Sequence, residues 1–230
     1  MPERPLLLAI DTASDFAGAA LMDGGALLAE ATWHAHQNHS VQLLPAIDWL
    51  LRHAGRTKGE IGAVAVCLGP GSYAGMRVGI STAKALAYGF GTPIVGIGRL
   101  AAEALPVAEA SGARVVPVQA AGRAELAWAV YQNAEGDLAE LAPPQLGGTS
   151  KLLSVLRKGD VVTGDIDRLD AETLAGLAII ECSLAPVTAA RVVSVARLGL
   201  RRLARGEADD ADTLVPLYLR APAIGPQSPR

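Results

Sequence analysis

The sequence is short of cysteine, lysine, net charge and long apolar runs, and each shortage excludes something. Its two cysteines, Cys67 and Cys182, lie far apart with no CxxC spacing. They make no disulfide framework, and two lone thiols suit a reducing compartment or plain core filling. The net charge is −3, and Lys58, Lys84, Lys151 and Lys158 are the only lysines. A protein that wraps nucleic acid by itself usually has a basic domain, so that class fits poorly. Charged residues make up 19% of the chain and hydrophobic ones 50%, which excludes disorder. No segment approaches the ~18 apolar residues of a membrane span. The run Leu6–Ile10 is too short for a signal-peptide core and stops at Asp11. A soluble cytoplasmic protein with no membrane contact is the expectation.

What is present is a chain of 230 residues, enough for one large domain or two small ones. A chain of this length buries ~70% of its unfolded surface and needs neither disulfides nor metal to fold. Its 25 glycines and 14 prolines interrupt it too often for a coiled coil.

The hydrophobic pattern predicts strands at Pro5–Ile10, Phe16–Met22 and Ala26–Trp33, with Asp23-Gly24-Gly25 as a hairpin turn. A helix follows over His39–Ala54, with Leu43, Ile47, Leu50 and Ala54 on one stripe. Val41, Leu44 and Leu51 lie off it and form a second apolar surface. The near-continuous apolar run Ile61–Leu68 reads as a strand covered on both faces. After Gly69-Pro70-Gly71, Ser72 is the N-cap of a helix reaching about Tyr88. Gly75, Gly79, Ala83 and Ala87 make a ridge of small residues on it, beside an apolar face containing Met76 and Ile80. Pro93–Ile97 is another strand. A hairpin followed by αβαβ is not the alternation of a doubly wound dinucleotide fold. Gly69-x-Gly71-x-x-Ala74 fits that fold's fingerprint formally, but no acidic residue follows at the required distance of about 20 residues.

The second half reads as a weaker copy. Strands are predicted at Arg114–Val118, Ala124–Tyr131, Asp137–Leu141 and Val161–Thr163, a short helix at Lys151–Leu156 and a long one at Thr188–Arg205. Arg201, Arg202 and Arg205 suit that helix's C-terminus, as a solvated end or an RNA-facing patch. Asp209, Asp210 and Asp212 form an acidic linker, and Val215–Leu219 is expected as an edge strand. Two related βββαβα halves make an α/β protein of two lobes with a cleft between them. The expected division is 1–100 and a smaller 101–230, with the tail 213–222 packing back on the first lobe.

Several blocks resemble one family. Asp11-Thr12 before a hairpin, His39-Ser40-x-x-Leu43-Leu44-Pro45, Gly69-Pro70-Gly71-Ser72-Tyr73-x-Gly75-x-Arg77-x-Gly79, Lys84-x-Leu86-Ala87 and Pro216-x-Tyr218-Leu219-Arg220 are similar to the bacterial TsaB family. The resemblance implies an ASKHA fold, the actin-like ATPase and ribonuclease H-like architecture. It also implies a noncatalytic partner of the paralogue TsaD. With the ATPase TsaE, TsaD installs threonylcarbamoyl on the adenosine next to the anticodon (position 37) of ANN-decoding tRNAs. The expected interface with TsaD comprises Leu43, Leu44, Ile47, Leu51, Tyr73, Gly75, Met76, Gly79, Ala83 and Ala87. The same surface is expected to form a homodimer when the chain is alone, and Gly79→Arg is expected to block pairing in a folded monomer. Contact with tRNA is expected mainly through the complex.

The catalytic paralogue carries a metal-binding His-x-x-x-His after the strand matching Pro93–Ile97. Here Arg99 and Glu103 stand at those positions, and a guanidinium has no lone pair to give a metal. Asp11 and Thr12 occupy the place where ASKHA enzymes position a metal–phosphate group. The matching turn in the second half, Gln119-Ala120-Ala121-Gly122-Arg123, lacks an acid. A vestigial nucleotide site with weak ATP or ADP binding, and no required cofactor, is the expectation. His34, His36 and His39 have no nearby carboxylate or cysteine to complete a metal site. The alternative reading is an autonomous ATPase or small-molecule kinase of the same fold.

Overall fold

The computed structural model describes residues 5–36, 38–122, 125–186 and 191–219. The chain begins with β1 (Leu6–Asp11), the hairpin β2 (Phe16–Asp23) and β3 (Ala26–His34), then α1 (His39–His53), β4 (Ile61–Gly69), α2 (Tyr73–Phe90), β5 (Ile94–Gly98) and α3 (Arg99–Ser111). It repeats the order with β6 (Arg114–Ala120), β7 (Leu126–Ala134), β8 (Asp137–Gly147), α4 (Thr149–Val155), β9 (Val161–Gly164), α5 (Ala171–Ile179), β10 (Ser183–Leu184) and α6 (Arg191–Ala204).

The two sheets share one topology. The first runs β3-β2-β1-β4-β5 and the second, read from its other edge, β8-β7-β6-β9-β10. In each, two antiparallel pairings are followed by two parallel ones. The repeating unit is therefore βββαβαβα, one strand and one helix longer than the predicted βββαβα. In the first half the further strand is the predicted Pro93–Ile97 and α3 alone is new, an alanine-rich helix with Pro106 inside it; in the second half the nine-residue α5 and the two-residue β10 are new.

All six residues of β1 are buried, as are most of β4, because each strand has neighbours in the sheet and helices on both faces. On one face, α1 and α2 pack Leu43, Ile47, Leu50, Leu51, Ile80 and Ala83 against Leu8, Ile10 and Val64. On the other lies α6, from the second half of the chain. Its Val192, Val195 and Ala196 meet Leu7, Ala9 and Ala65. Gly199 faces Ala65, so closely that a β-carbon would crowd it. In exchange α3, which leaves the first sheet, packs Leu100, Ala104 and Ala108 against Val115, Ala129 and Tyr131 of the second. Each half thus lends its last helix to the other, and α3 and α6 meet between the sheets.

The small-residue ridge of α2 faces inward. A β-carbon at Gly75 would strike Thr12 O, and one at Gly79 would strike Thr12 Oγ1. Ser72 Oγ accepts from Gly75 N at 3.2 Å as the predicted N-cap. The predicted edge strand Val215–Leu219 does not form. Pro216 has no N–H to offer a ladder, and in this stretch Leu217 N donates to Leu68 O at 2.8 Å. The bridge at the β5 edge comes from Asp209 opposite Ile94. Leu214 is buried in the first core, and Tyr218 stacks on Tyr73 at 5.4 Å. The predicted starts at Ala124 and Thr188, and Arg220, lie outside the described residues.

Glycine substitutions along α2 should separate packing from helix propensity. Gly75→Ala should cost about 1–3 kcal/mol, because the backbone of Thr12 cannot give way. Gly89→Ala, with nothing within 4 Å of the new carbon, should gain up to about 1 kcal/mol. Urea melts of both variants check the pair.

Candidate functional site

The ends of β1 and β6 face a cleft between the two sheets, with a volume of about 690 Å3. Ser14, Gly71, Arg99, Gln119, Asp165 and Arg191 are among its walls. What reaches the end of β1 is decided by the exchange of helices. Arg191 is the first described residue of α6, and Arg99 opens α3.

Asp11 is 2% exposed and both its oxygens are occupied. Oδ1 accepts from Ala13 N at 2.9 Å and Oδ2 from Arg191 Nε at 2.6 Å. Arg191 continues from Nη1 to Glu103 Oε1 at 3.2 Å and from Nη2 to Ser14 Oγ at 3.0 Å. The same Glu103 oxygen accepts from Arg99 Nε at 2.7 Å, and Arg99 Nη2 donates to Asp165 Oδ1 at 3.1 Å. Asp165 Oδ2 accepts from Ala120 N at 3.2 Å, at the end of β6. A single chain of ion pairs therefore runs from the first sheet to the second.

Burial alone would raise the Asp11 pKa, but the adjoining guanidinium and the Ala13 N–H outweigh it and hold the carboxyl below its usual range. Burial works against the Arg191 charge, yet the facing Asp11 and Glu103 hold it firmly protonated. Burial, and then the nearby Asp11 charge, push the Cys67 thiol up, which leaves it an inert core group.

Of the predicted nucleotide residues, Asp11 is spent on Arg191. Thr12 is buried and donates from Oγ1 to Gly75 O at 2.7 Å, pinning α2 to β1. The acid missing from the Gln119–Gly122 turn comes instead from Asp165, after β9. Neither Asp165 nor Arg191 was singled out by the sequence. The Gly-Asp pair at 164–165 was legible only as a turn, and Arg191 stands 180 residues from its partner. Arg99 and Glu103 were singled out, and they form a buried pair with each other. His34 and His36 touch, with Nδ1 and Nε2 at 2.9 Å. Among the described residues no group of three His, Cys, Asp or Glu side chains could hold a metal ion. Nor is any described helix long and apolar enough to cross a membrane.

The predicted interface divides in two. Leu43, Ile47, Leu51, Gly75, Met76, Gly79, Ala83 and Ala87 are buried within the chain, and Leu44 and Tyr73 are exposed. The correction has a simple cause: periodicity finds a stripe, and the wider stripe of each helix is the one that covers its own sheet. Gly79→Arg would accordingly break the monomer's own packing on Thr12. The outward face carries Val41, 68% exposed, with Leu44, Trp49, Tyr73 and Tyr88.

The family model for TsaD, tRNA N6-adenosine threonylcarbamoyltransferase, matches residues 33–183. The tRNA threonylcarbamoyladenosine biosynthesis protein TsaB of Bacillus subtilis (strain 168) is 31% identical over 154 residues, 67% of this chain and 67% of that protein. The chain belongs to the TsaB family. The TsaB of Escherichia coli (strain K12) is 34% identical over 57% of each chain. YeaZ from Pseudomonas aeruginosa superposes with a TM-score of 0.78 at 23% identity, covering 94% of this chain and all of that one. This likeness extends the TsaB fold over both sheets, and the architecture is of the ASKHA type.

A magnesium-bound phosphate does not fit the donor set of this TsaB chain. Each oxygen of the Asp11 carboxylate already accepts a hydrogen bond, and a guanidinium 2.6 Å away repels a cation. Asp11→Asn should destabilise the fold by about 1.5–3 kcal/mol at neutral pH, since Arg191 keeps Glu103 but loses the nearer of its two buried counter-charges. The carboxylate's contribution is complete above its ordinary pKa of 3.8 and is lost as the pH falls through the lower folded value. Urea melts of both proteins at stepped pH should therefore converge only in strong acid.

Proposed function

We propose that the chain is a noncatalytic scaffold subunit in tRNA threonylcarbamoyladenosine biosynthesis. It binds TsaD and holds it active for transfer of threonylcarbamoyl to the adenosine next to the anticodon of ANN-decoding tRNAs. TsaE joins them in a larger cytoplasmic complex. Alone, the chain pairs with itself through the same face.

The observation that carries this reading is the outward apolar face of α1 and α2. Val41, Leu44 and Trp49 follow one another along α1, and Tyr73 and Tyr88 lie at the two ends of α2. Large side chains left half in water on adjacent helices mark a surface that another protein covers. Aromatic residues at such a surface supply much of the binding energy. The cleft supports the noncatalytic part, because Asp11, Glu103 and Asp165 at its strand ends are engaged with the chain's own arginines. An autonomous ATPase would need Asp11 free.

A minor share in tRNA contact agrees with the charge distribution. Arg197, Arg201 and Arg202 on α6, and Arg205 just after it, pair with Glu109, Asp137, Glu207 and Asp209. Cations neutralised in this way add little to phosphate binding.

Leu44→Asp should leave stability within about 0.5 kcal/mol, as an exposed substitution, while abolishing the complex. Size-exclusion chromatography with light scattering, on the variant alone and mixed with TsaD of the same organism, checks both statements. A complex of unchanged size would remove this face from the interface.

A further inference from the structure

We infer that the ion pairs between the sheets form a built-in latch, in which a guanidinium of the chain stands beside Asp11 where the fold family would place a metal-bound phosphate. The latch fixes the spacing of the two sheets with no ligand. The inference rests on the cleft alone and is independent of what binds the outer face.

Three features point to it. First, an arginine of each exchanged helix is met by an aspartate: Arg191 of α6 by Asp11 at the end of β1, and Arg99 of α3 by Asp165 after β9. Arg99 follows the N-cap Gly98, where the partial positive charge of the helix end disfavours a cation, and Asp165 and Glu103 compensate it there.

Second, each arginine binds the sheet that its helix covers. Arg191 ties α6 to the first sheet, and Arg99 ties α3 to the second. Glu103 then joins the two systems, because its Oε1 accepts from both guanidiniums. Glu103 is thus the joint, and its side chain is 1% exposed.

Third, the centre of the latch is shielded from solvent, and only Asp165 at its end is 20% exposed. The side chains of Arg99, Glu103, Arg191 and Asp11 are all under 10% exposed. Such pairs are screened far less by salt than surface pairs. Their geometry is also demanding, because loss of either partner strands a buried charge.

The test measures the distance between the sheets. Spin labels are placed at the exposed Ser81 on α2 and Ser154 on α4, in a Cys182→Ser background, and the distance distribution is recorded with and without millimolar Mg-ADP. The latch predicts one narrow distribution that the nucleotide does not move. Glu103→Gln keeps both arginine–aspartate pairs but weakens the joint, and should broaden the distribution. Arg191→Met should broaden it further and lower the Tm by roughly 6–12 °C. A nucleotide-dependent shift in the unmodified chain would overturn the inference, as would a distribution left narrow by Glu103→Gln. If Arg191→Met does not fold, Glu103→Gln and the nucleotide titration still decide the matter.

Discussion

The contact between Arg191 and Asp11 is the constraint on which the rest of the molecule depends. It joins the first described residue of α6 to the last residue of β1, 180 positions apart. Through it α6 is seated on the first sheet, and Val192, Val195 and Gly199 come to lie over β1 and β4. Through Glu103 the same guanidinium fixes α3, and with it the second sheet. A buried pair of this kind does not by itself make a protein more stable than a well-packed apolar pair would. Its consequence is specificity: this seating of the exchanged helices gives both buried guanidiniums carboxylate partners, and other seatings leave one of them stranded.

The two faces of the first lobe divide the work. Inside, α2 approaches β1 closely enough that Gly75 and Gly79 touch Thr12, and this closeness keeps the end of β1 rigid. Outside, the same two helices leave Val41, Leu44, Trp49, Tyr73 and Tyr88 exposed, with Tyr88 hydrogen-bonded to Asp212. The tail runs over the same region, with Tyr218 stacked on Tyr73 at the mouth of the cleft. The outer face and the cleft therefore share a wall, although one is apolar and the other is a network of charges.

Much of this was legible in the sequence, and what was legible was local. Asp23-Gly24-Gly25 marked the first hairpin because both glycines take positive φ there, 58° and 101°. The run Ile61–Leu68 announced a strand buried on both faces, and Ser72 its following helix. What could not be read was non-local. The stripe Gly75, Gly79, Ala83 was visible, but only the fold shows that it faces β1 and not a partner. Arg191 looked like any residue at the edge of an amphipathic helix. Asp165 looked like half of a turn. Only the exchange of α3 and α6 brings them to the strand ends. Arg99 and Glu103 stood out as wrong for metal, and the structure supplies the reason they suit each other: four residues apart on one helix, they meet in the same turn.

The account stands most directly on the coupling between Arg191 and Asp11, which a double-mutant cycle measures. Urea melts at neutral pH of Asp11→Asn, Arg191→Met and the double variant give it without reference to any partner. The account predicts a double variant far less damaged than the two losses added together, with a coupling energy of about 1.5–3 kcal/mol, in the range for residues in contact. Two independent losses that simply add would show that the pair holds nothing together, and would contradict it.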